Sequence, residues 1–585
     1  MKAAIMSLIL VFLLGGVFFP AHADDDFYPI CEIQGRGNTS PRVNRPAVTQ
    51  GIVFADFDND KGVEGFFIQA DCDASIETSD GLFIQLPDAL NIVSVGDLVA
   101  LDGVVRELFG RTTLEVELSG ITLLSQGNPL PTPVEFHPPA DNVEAKTYFE
   151  SLESMYVSLS DATVIGPTDE RGETWLTRTD LGLMHLFHDH STGTGQRVMV
   201  DEEGDFKLPD ATVGDRVINL LGVLNYSIGH YRLHLLNSPT WLPGSMRQTR
   251  GLEENALSIA TFNVGNLFDT FDDPETEDPI RNAAEYQRHL QKLALTIEHE
   301  LSLPALIALQ EVENDDVLQA LVNRIRAVTY EYVWVNSVDS RGIDPALVYD
   351  PARVIVHTYE QRQGCTDLFD GLGPDGNQDV TDPQNATTCT TSENKPGNRL
   401  FSRPPLVVHV TACQHSCSTM PENLTLHLII PHFKSKFNDT DEIAYTTPRR
   451  IIQAEFVANL VTELREKGAA HIVVLGDLND TYDSQPLAKL EEAGLQNLVF
   501  EIADNTRYSY IYEGVASVLD HIMVSPSLLA LPHTYYAVVP SHVNADYPAS
   551  LASDINTPLR ASDHDPVLFT LRSRSVHLYL PVIQR

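Results

Sequence analysis

Basic side chains are scarce in this sequence. Its 585 residues carry 39 Lys and Arg against 81 Asp and Glu, a formal charge of −42 at pH 7. A protein that coats nucleic acid needs a basic surface, so that class is excluded. An enzyme that brings its own divalent cations to a phosphate is not. Cysteine is sparse too, with six residues and no Cys-x-x-Cys pair, which argues against a zinc site. Beyond the first 23 residues there is no apolar run long enough to span a bilayer. Hydrophobic residues make up 43% and charged residues 21%, which rules out wholesale disorder. The length exceeds what one core supports, so two to four domains are expected.

The N-terminus is informative. Lys2 precedes an apolar run from Ala3 to Phe19, then Pro20-Ala21-His22-Ala23 and Asp24-Asp25-Asp26. A basic start, an apolar stretch and an Ala-x-Ala end read as a cleavable secretory signal over residues 1–23. Its removal takes one Lys and no acid, leaving −43 and no integral membrane segment. Export makes the chain secreted and makes disulfides the default. Cys31 and Cys72 stand alone in the N-terminal part and are expected to pair. Cys365, Cys389, Cys413 and Cys417 allow three pairings, of which Cys365–Cys389 with Cys413–Cys417 is the local one.

Residues 24–130 and 131–250 read as two β-domains, the second carrying a linker at each end (Asn128–Pro139 and Pro239–Gly251). They share a weak repeat. Val95-Gly96-Asp97 leads to Gly103 and Gly110, and Val213-Gly214-Asp215 leads to Gly222 and Gly229. Small glycine-kinked β-barrels fit this pattern, oligonucleotide/oligosaccharide-binding (OB) barrels being one class; two unrelated small β-domains fit it as well. Phe66, Phe67, Phe83, Tyr226 and Tyr231 are the aromatics that such barrels could stack on bases, though most barrel aromatics are core.

From residue 251 to 573 the texture is α/β. Buried strands are expected at Leu257–Asn263, Ala305–Gln310, Ala346–Tyr349, Pro405–Val410, Leu424–Pro431, His471–Gly476, Val518–Val524 and Val567–Leu571. Helical periodicity covers Ala283–Leu301, Asp315–Val328 and Arg449–Lys467. Strands outnumber helices, so helices outside two sheets are expected. Asp375–Asp379 places oxygen ligands at alternate positions, but the rest of a calcium loop is missing. A plain acidic loop is the stronger reading there, and a structural Ca2+ the weaker. Residues 574–585 form a short apolar tail, either docked or a sorting signal.

The chemistry sits at the strand ends. Asn263, Glu311, His432 and Asp477-Leu478-Asn479 each close a strand. Asp520-His521 and Ser562-Asp563-His564-Asp565-Pro566 each open one. A lone Asp or Asn after a strand usually starts a turn or caps a helix. Six in order are harder to dismiss. Hard oxygen ligands can hold a divalent cation that neutralises a phosphodiester, and two imidazoles can move protons or contact phosphate oxygens. No Cys-His or Ser-His pairing offers a comparable set.

Thr261-Phe262-Asn263-Val264-Gly265-Asn266-Leu267, Leu309-Gln310-Glu311-Val312-Glu313, Pro431-His432-Phe433-Lys434-Ser435-Lys436, Gly476-Asp477-Leu478-Asn479-Asp480 and Ser562-Asp563-His564-Asp565-Pro566 resemble the ordered motifs of the endonuclease/exonuclease/phosphatase (DNase I-like) superfamily. Within it the chain is most similar to secreted bacterial nucleases of the ExeM and NucH type, whose N-terminal OB-like segments resemble residues 47–240. The resemblance implies a four-layered α/β-sandwich catalytic domain preceded by two small OB-like β-barrels. It implies a metal, Mg2+ or Mn2+, on Asn263, Glu311 and Asp563. It implies that His564 is the catalytic histidine, oriented by Asp520, and that Asp477 and Asn479 place water or contact phosphate and metal. His432 would bind phosphate or donate a proton, Arg403 would contact phosphate, and Asp344 is a loose match for a partner of His432. His521 departs from the pattern and reads as flanking. The implied activity is hydrolysis of extracellular DNA, perhaps RNA, with a phosphomonoesterase or lipid phosphodiesterase as the alternative and no obligate protein partner. From Gly251 to Arg572 there are 21 basic and 46 acidic residues, a net of −25, so only local basic help is expected, from Arg399, Arg403, Lys434, Lys436, Arg449 and Arg450.

Overall fold

The computed structural model describes residues 27–57, 65–72, 77–86, 92–188, 194–201, 206–227, 229–244, 256–274, 276–337, 339–368, 389–413, 417, 423–437, 439, 444–532 and 534–573. The expected signal (1–23), the Asp375–Asp379 loop and the tail (574–585) lie outside them. The chain divides into two compact units, 1–134 with 146–157 and 223–231, and 135–145 with 158–222 and 232–585. Cys31–Cys72, Cys365–Cys389 and Cys413–Cys417 are disulfides.

In the first unit, Pro46–Asp56, Gly65–Gln69, Gly81–Gln85, Leu98–Leu108 and Arg111–Ser125 close into a five-stranded barrel. Its core is Val53, Phe66, Ile68, Leu82, Ile84, Leu101, Val105 and Leu114. Phe66, Phe67 and Phe83 are fully buried, and Tyr231 donates to Glu150 at 2.7 Å and stacks on Phe149. These four rings are therefore core or anchored, and not available for stacking on bases.

The middle segment forms a seven-stranded sheet, from Val134–Glu135 to Thr240–Leu242, and the further pairing of Arg216–Ser227 with Tyr156–Gly166 closes five of its strands into a small barrel. Five of its strands follow the order of the first barrel, with a parallel pair in the matching place: Phe83↔Thr113 in one, Met199↔Arg232 in the other. The repeated Gly-Asp turns are built alike. Gly96 and Gly214 have φ of +91° and +89°, which a side chain would oppose. Asp97 and Asp215 each accept a backbone N–H three residues back at 2.9 Å. A Cβ on Gly103 or Gly222 would lie 2.3 or 2.5 Å from the neighbouring strand's carbonyl oxygen, so both glycines permit close strand crossing.

The α/β part holds two six-stranded sheets. Their strands are β1 Leu257–Leu267, β2 Leu306–Val312, β3 Glu331–Trp334, β4 Asp344–Tyr349, β5 Val354–Gln361, β6 Leu406–Ala412, β7 Leu424–Ile430, β8 Ile472–Asp477, β9 Gln496–Asn497, β10 Asp520–Val524, β11 Thr534–Pro540 and β12 Val567–Ser573. The orders are β3-β4-β2-β1-β12-β11 and β5-β6-β7-β8-β10-β9. The helices are α1 Ala283–Leu295, α2 Asp315–Arg324, α3 Thr447–Glu466 and α4 Gln485–Glu492. Strand period 2 explains the layering. Ile259, Leu306, Val473 and Leu475 point into the core between the sheets. Their neighbours Ala260 and Ile307 pack on α1 and α2, and Ile472 and Val474 pack on α3 and α4. Four layers result, helix, sheet, sheet, helix. Asn282 caps α1 with a reciprocal bond from Glu285, and Asn314 caps α2.

Strand direction gathers the ends. β1 and β2 run parallel, as do β7 and β8, so Asn263, Glu311, His432 and Asp477 emerge on one rim. β12 and β10 run antiparallel to β1 and β8, so their N-terminal ends, at Asp563-His564 and Asp520, meet the same rim. Asp477 pairs directly with Asp520 in the register.

Candidate functional site

Glu311 sits at an irregularity. The β1–β2 register slips between Asn263 and Leu267, and the β2–β4 register between Leu309 and Val312. Glu311 itself takes φ of +66°, rare for a residue with a Cβ, and its carboxylate accepts the Asn266 N–H at 2.8 Å. The bulge turns an in-strand side chain toward the rim. Asn263 is buried, donates to Asp477 Oδ2 at 3.0 Å and accepts the Gly265 N–H at 3.0 Å. Ser562 Oγ donates to the Asn263 carbonyl at 2.8 Å, which ties the Asp563-His564 turn to β1. Asp563 itself is exposed.

Asp477 is the hub. Its carboxylate accepts the Asn479 N–H at 2.8 Å and the Asn479 amide at 3.2 Å, and Asn479 also donates to the Phe433 carbonyl at 3.1 Å. His432 Nε2 lies 3.4 Å from Asp477 Oδ2 and 3.9 Å from Glu311 Oε1. Burial, the Asp520 charge and the surrounding bonds act on Asp477 together; burial is the largest influence and raises its pKa. Burial lowers the His432 pKa well below the ordinary histidine range, and nearby Arg403 and Arg341 push the same way. His432 is therefore neutral at pH 7, able to donate one hydrogen bond.

His564 is the opposite case. Its Nδ1 is 2.8 Å from Asp520 Oδ2, and its Nε2 is 3.9 Å from Asp477 Oδ2. Burial alone would lower its pKa, but Asp520 and Asp477 outweigh burial and raise it well above the ordinary value. Asp520 is itself held by Ser509 Oγ, which donates to Oδ2 at 2.8 Å. Arg403 is buried and donates to the Phe433 carbonyl at 3.1 Å.

The structure thus brings Asn263, Glu311, His432, Asp477, Asn479, Asp520 and His564 into one contact set, with Asp563 beside it. Two expectations change. Asp344 does not serve His432: it accepts the Ser337 N–H at 2.9 Å and lies near Gln361, and burial pushes its carboxyl up to about 7. Of the basic candidates, Arg449 and Arg450 are buried in internal bonds, and Lys436 pairs with Asp480 at 3.0 Å. His521 is flanking as expected, bonded to the Asp480 carbonyl and Asn497.

Two neighbours escaped the sequence reading. Ser509 holds Asp520, and the Tyr510 ring packs 4.7 Å from the His564 ring. Their only sequence signal is the aromatic alternation Tyr508-Ser509-Tyr510-Ile511-Tyr512, which marks a hairpin but no chemistry.

Asp477, Asp520 and His564 lie close enough together to suggest a metal cage. Two of the three, Asp520 and His564, are hydrogen-bonded to each other at 2.8 Å, a dyad that faces the Asp477 carboxylate. Glu311 and Asp563 offer further oxygen donors with solvent access, of the kind a hard cation takes, and the Asn263 amide is on the same rim.

Residues 258–367 and 411–551 match the family described as Endonuclease/Exonuclease/phosphatase family. Residues 134–244 match a family described as a domain of unknown function. No curated protein matches. Among solved structures, the chain is similar to humanized D. rerio TDP2 carrying 14 mutations (16% identity, 55% of this chain and 100% of that one, TM-score 0.34). It is similar to an endonuclease/exonuclease/phosphatase from Bacteroides vulgatus (15%, 55% and 100%, TM-score 0.34). A third is the mannosyl-6-phosphatase Bt3783 of Bacteroides thetaiotaomicron VPI-5482 (16%, 54% and 99%, TM-score 0.31).

Proposed function

Because this chain belongs, through its α/β part, to the endonuclease/exonuclease/phosphatase family, we propose that it is a secreted, divalent-metal-dependent nuclease that hydrolyses phosphodiester bonds of extracellular DNA. The observation that carries this reading is the His564–Asp520 pair at 2.8 Å, set against Asp477 on a rim shared with Glu311 and His432.

Glu311, Asp563 and Asn263 would hold Mg2+ or Mn2+, and the bound ion would supply neutralising charge to the phosphate. The chain's own residues do the rest. Asp520 fixes the His564 tautomer through Nδ1 and leaves Nε2 toward Asp477, so the imidazole is arranged to take a proton from water. Asp477 lies beside that nitrogen and orients the water; Asn479 spends its amide on Asp477 and Phe433 O, so it holds Asp477 in place. His432, kept neutral, donates a hydrogen bond to a phosphate oxygen, and the nearby Arg403 adds positive charge. The first barrel and the middle sheet would act as OB-like modules.

The net charge of −25 on the α/β part favours a second reading, a small phosphomonoester as substrate, because a small ligand needs no basic groove. Supercoiled DNA, linear DNA and a phosphomonoester, each with Mg2+ and with EDTA, separate the two. Nicking that EDTA and His564→Ala both abolish is the expected result. Intact DNA with phosphomonoester turnover moves the assignment to the second reading.

A further inference from the structure

The middle segment touches the α/β part through more than a linker. Leu186–Phe187 adds a parallel strand to the hairpin Tyr510–Tyr512 and Val515–Ser517, pairing Leu186 with Val515 and Phe187 with Ala516. The His188 N–H donates to the Ala516 carbonyl at 3.2 Å, and the Arg197 guanidinium to the Glu513 carbonyl at 2.7 Å. At one point the two backbones meet directly: a Cβ on Gly166 would lie 2.9 Å from Gly514 Cα. Leu186 packs with Ile165, Trp175 and Met199, and Val515 leans on that cluster.

A polar chain runs beneath the strand. His185 Nε2 is 3.0 Å from Asp546 Oδ1, and Tyr508 Oη donates to Asp546 Oδ2 at 2.8 Å. Burial would raise the Asp546 carboxyl, but bonds from His185 and Tyr508 hold it below its usual value. Tyr508 stacks on His542 with ring centroids 3.9 Å apart, and His542 Nδ1 lies 3.1 Å from Asp565. Asp565 neighbours His564 and donates its own N–H to the Ser509 carbonyl at 2.7 Å. Ser509 is the residue that bonds Asp520, and Tyr510 is the ring on His564. Ser509 and Tyr510, which hold Asp520 and pack on His564, belong to a stretch of chain which the middle segment grips.

We propose that residues 158–222 are a brace for the His564–Asp520 dyad, with His185, through Asp546 and Tyr508, and the Leu186–Phe187 strand as its positioning elements. This rests on the reading of that dyad as hydrolytic. The segment acts on catalysis without meeting substrate, which gives the otherwise unassigned domain at 134–244 a task distinct from ligand binding.

The test uses the full mature chain with Mg2+ and bis(p-nitrophenyl) phosphate, comparing wild type, His564→Ala, His185→Leu, His185→Asn, Gly166→Val and Arg197→Ala. A small misplacement of reacting groups is costly, so His185→Leu and Gly166→Val are expected to lower kcat by about tenfold with KM within about twofold. His185→Asn, whose amide can still donate to Asp546, should recover most of kcat. Arg197→Ala, a milder cut at the same face, stands in if His185→Leu does not fold and should lower kcat in the same direction. Unchanged kcat in folded His185→Leu or Arg197→Ala overturns the brace, as does a rise in KM alone, which would mean substrate binding. Activity surviving in His564→Ala overturns the hydrolytic reading instead, so the two failures are distinguishable.

Discussion

Asp520→Asn is the substitution whose consequences the structure defines most fully. The carboxylate receives bonds from His564 Nδ1 at 2.8 Å and Ser509 Oγ at 2.8 Å, and it is buried. Asparagine keeps the shape and one acceptor but loses the charge. A hydrogen bond to a charged partner is worth about 1.5–3 kcal/mol. Each ~1.4 kcal/mol of barrier is tenfold in rate, so kcat should fall roughly ten- to a hundredfold. The pH profile gives a second readout. His564 must be deprotonated to accept a proton, and Asp520 and Asp477 hold its pKa well above the ordinary value against the effect of burial. Wild-type kcat therefore climbs with pH through that raised pKa. Removing the Asp520 charge weakens the imidazolium, so the rising limb moves to lower pH even as the plateau drops. The assay is kcat against pH with bis(p-nitrophenyl) phosphate and saturating Mg2+, with thermal midpoints recorded beside it. A loss below about threefold, or a limb that stays put or moves up, would refute the reasoning.

Glu311→Gln keeps an oxygen for the Asn266 N–H but removes the charge that would attract a cation. Its activity should need at least about tenfold more Mg2+ for half-maximal rate, read from a metal titration, and an unchanged midpoint would take Glu311 out of the metal set. Lys292→Met tests how the loop that precedes Asp563 and His564 in the chain is anchored to α1. The buried Lys292 ammonium donates to the carbonyls of Leu551, Asp554 and Thr557, each at 2.9 Å. Losing three bonds at about 1 kcal/mol each, partly offset by no longer burying a charge, should cost about 2 kcal/mol and lower the thermal midpoint by several degrees.

What could be read from the sequence, and what could not, follows from how each residue is fixed. Asn263, Glu311, His432 and Asp477 end hydrophobic runs, so local pattern places them at strand termini, and parallel pairing then puts strand termini on one rim. The Gly96 and Gly214 turns were legible for a similar reason, since a backbone that needs positive φ leaves a glycine in the sequence. Ser509, Tyr510 and His185 were not legible. Their roles depend on a hairpin folding back over β10 and on a strand from a different part of the chain, contacts with no local period. The barrel aromatics are ambiguous in sequence because burial and stacking select the same residue types; packing makes Phe66, Phe67 and Phe83 core, the stronger of the two readings. Arg449 and Arg450 are ambiguous in the same way, since a guanidinium that binds phosphate and one that satisfies buried carbonyls and carboxylates look alike in sequence.

The most direct test of the central claim, attack of water on a phosphodiester at the His564 rim, is cleavage of DNA by the mature protein with Mg2+ in 18O-enriched water, followed by mass spectrometry of the product termini. One 18O is expected in each newly formed terminal phosphate, and no such product from His564→Ala. DNA left intact, or terminal phosphates formed without 18O, would contradict it.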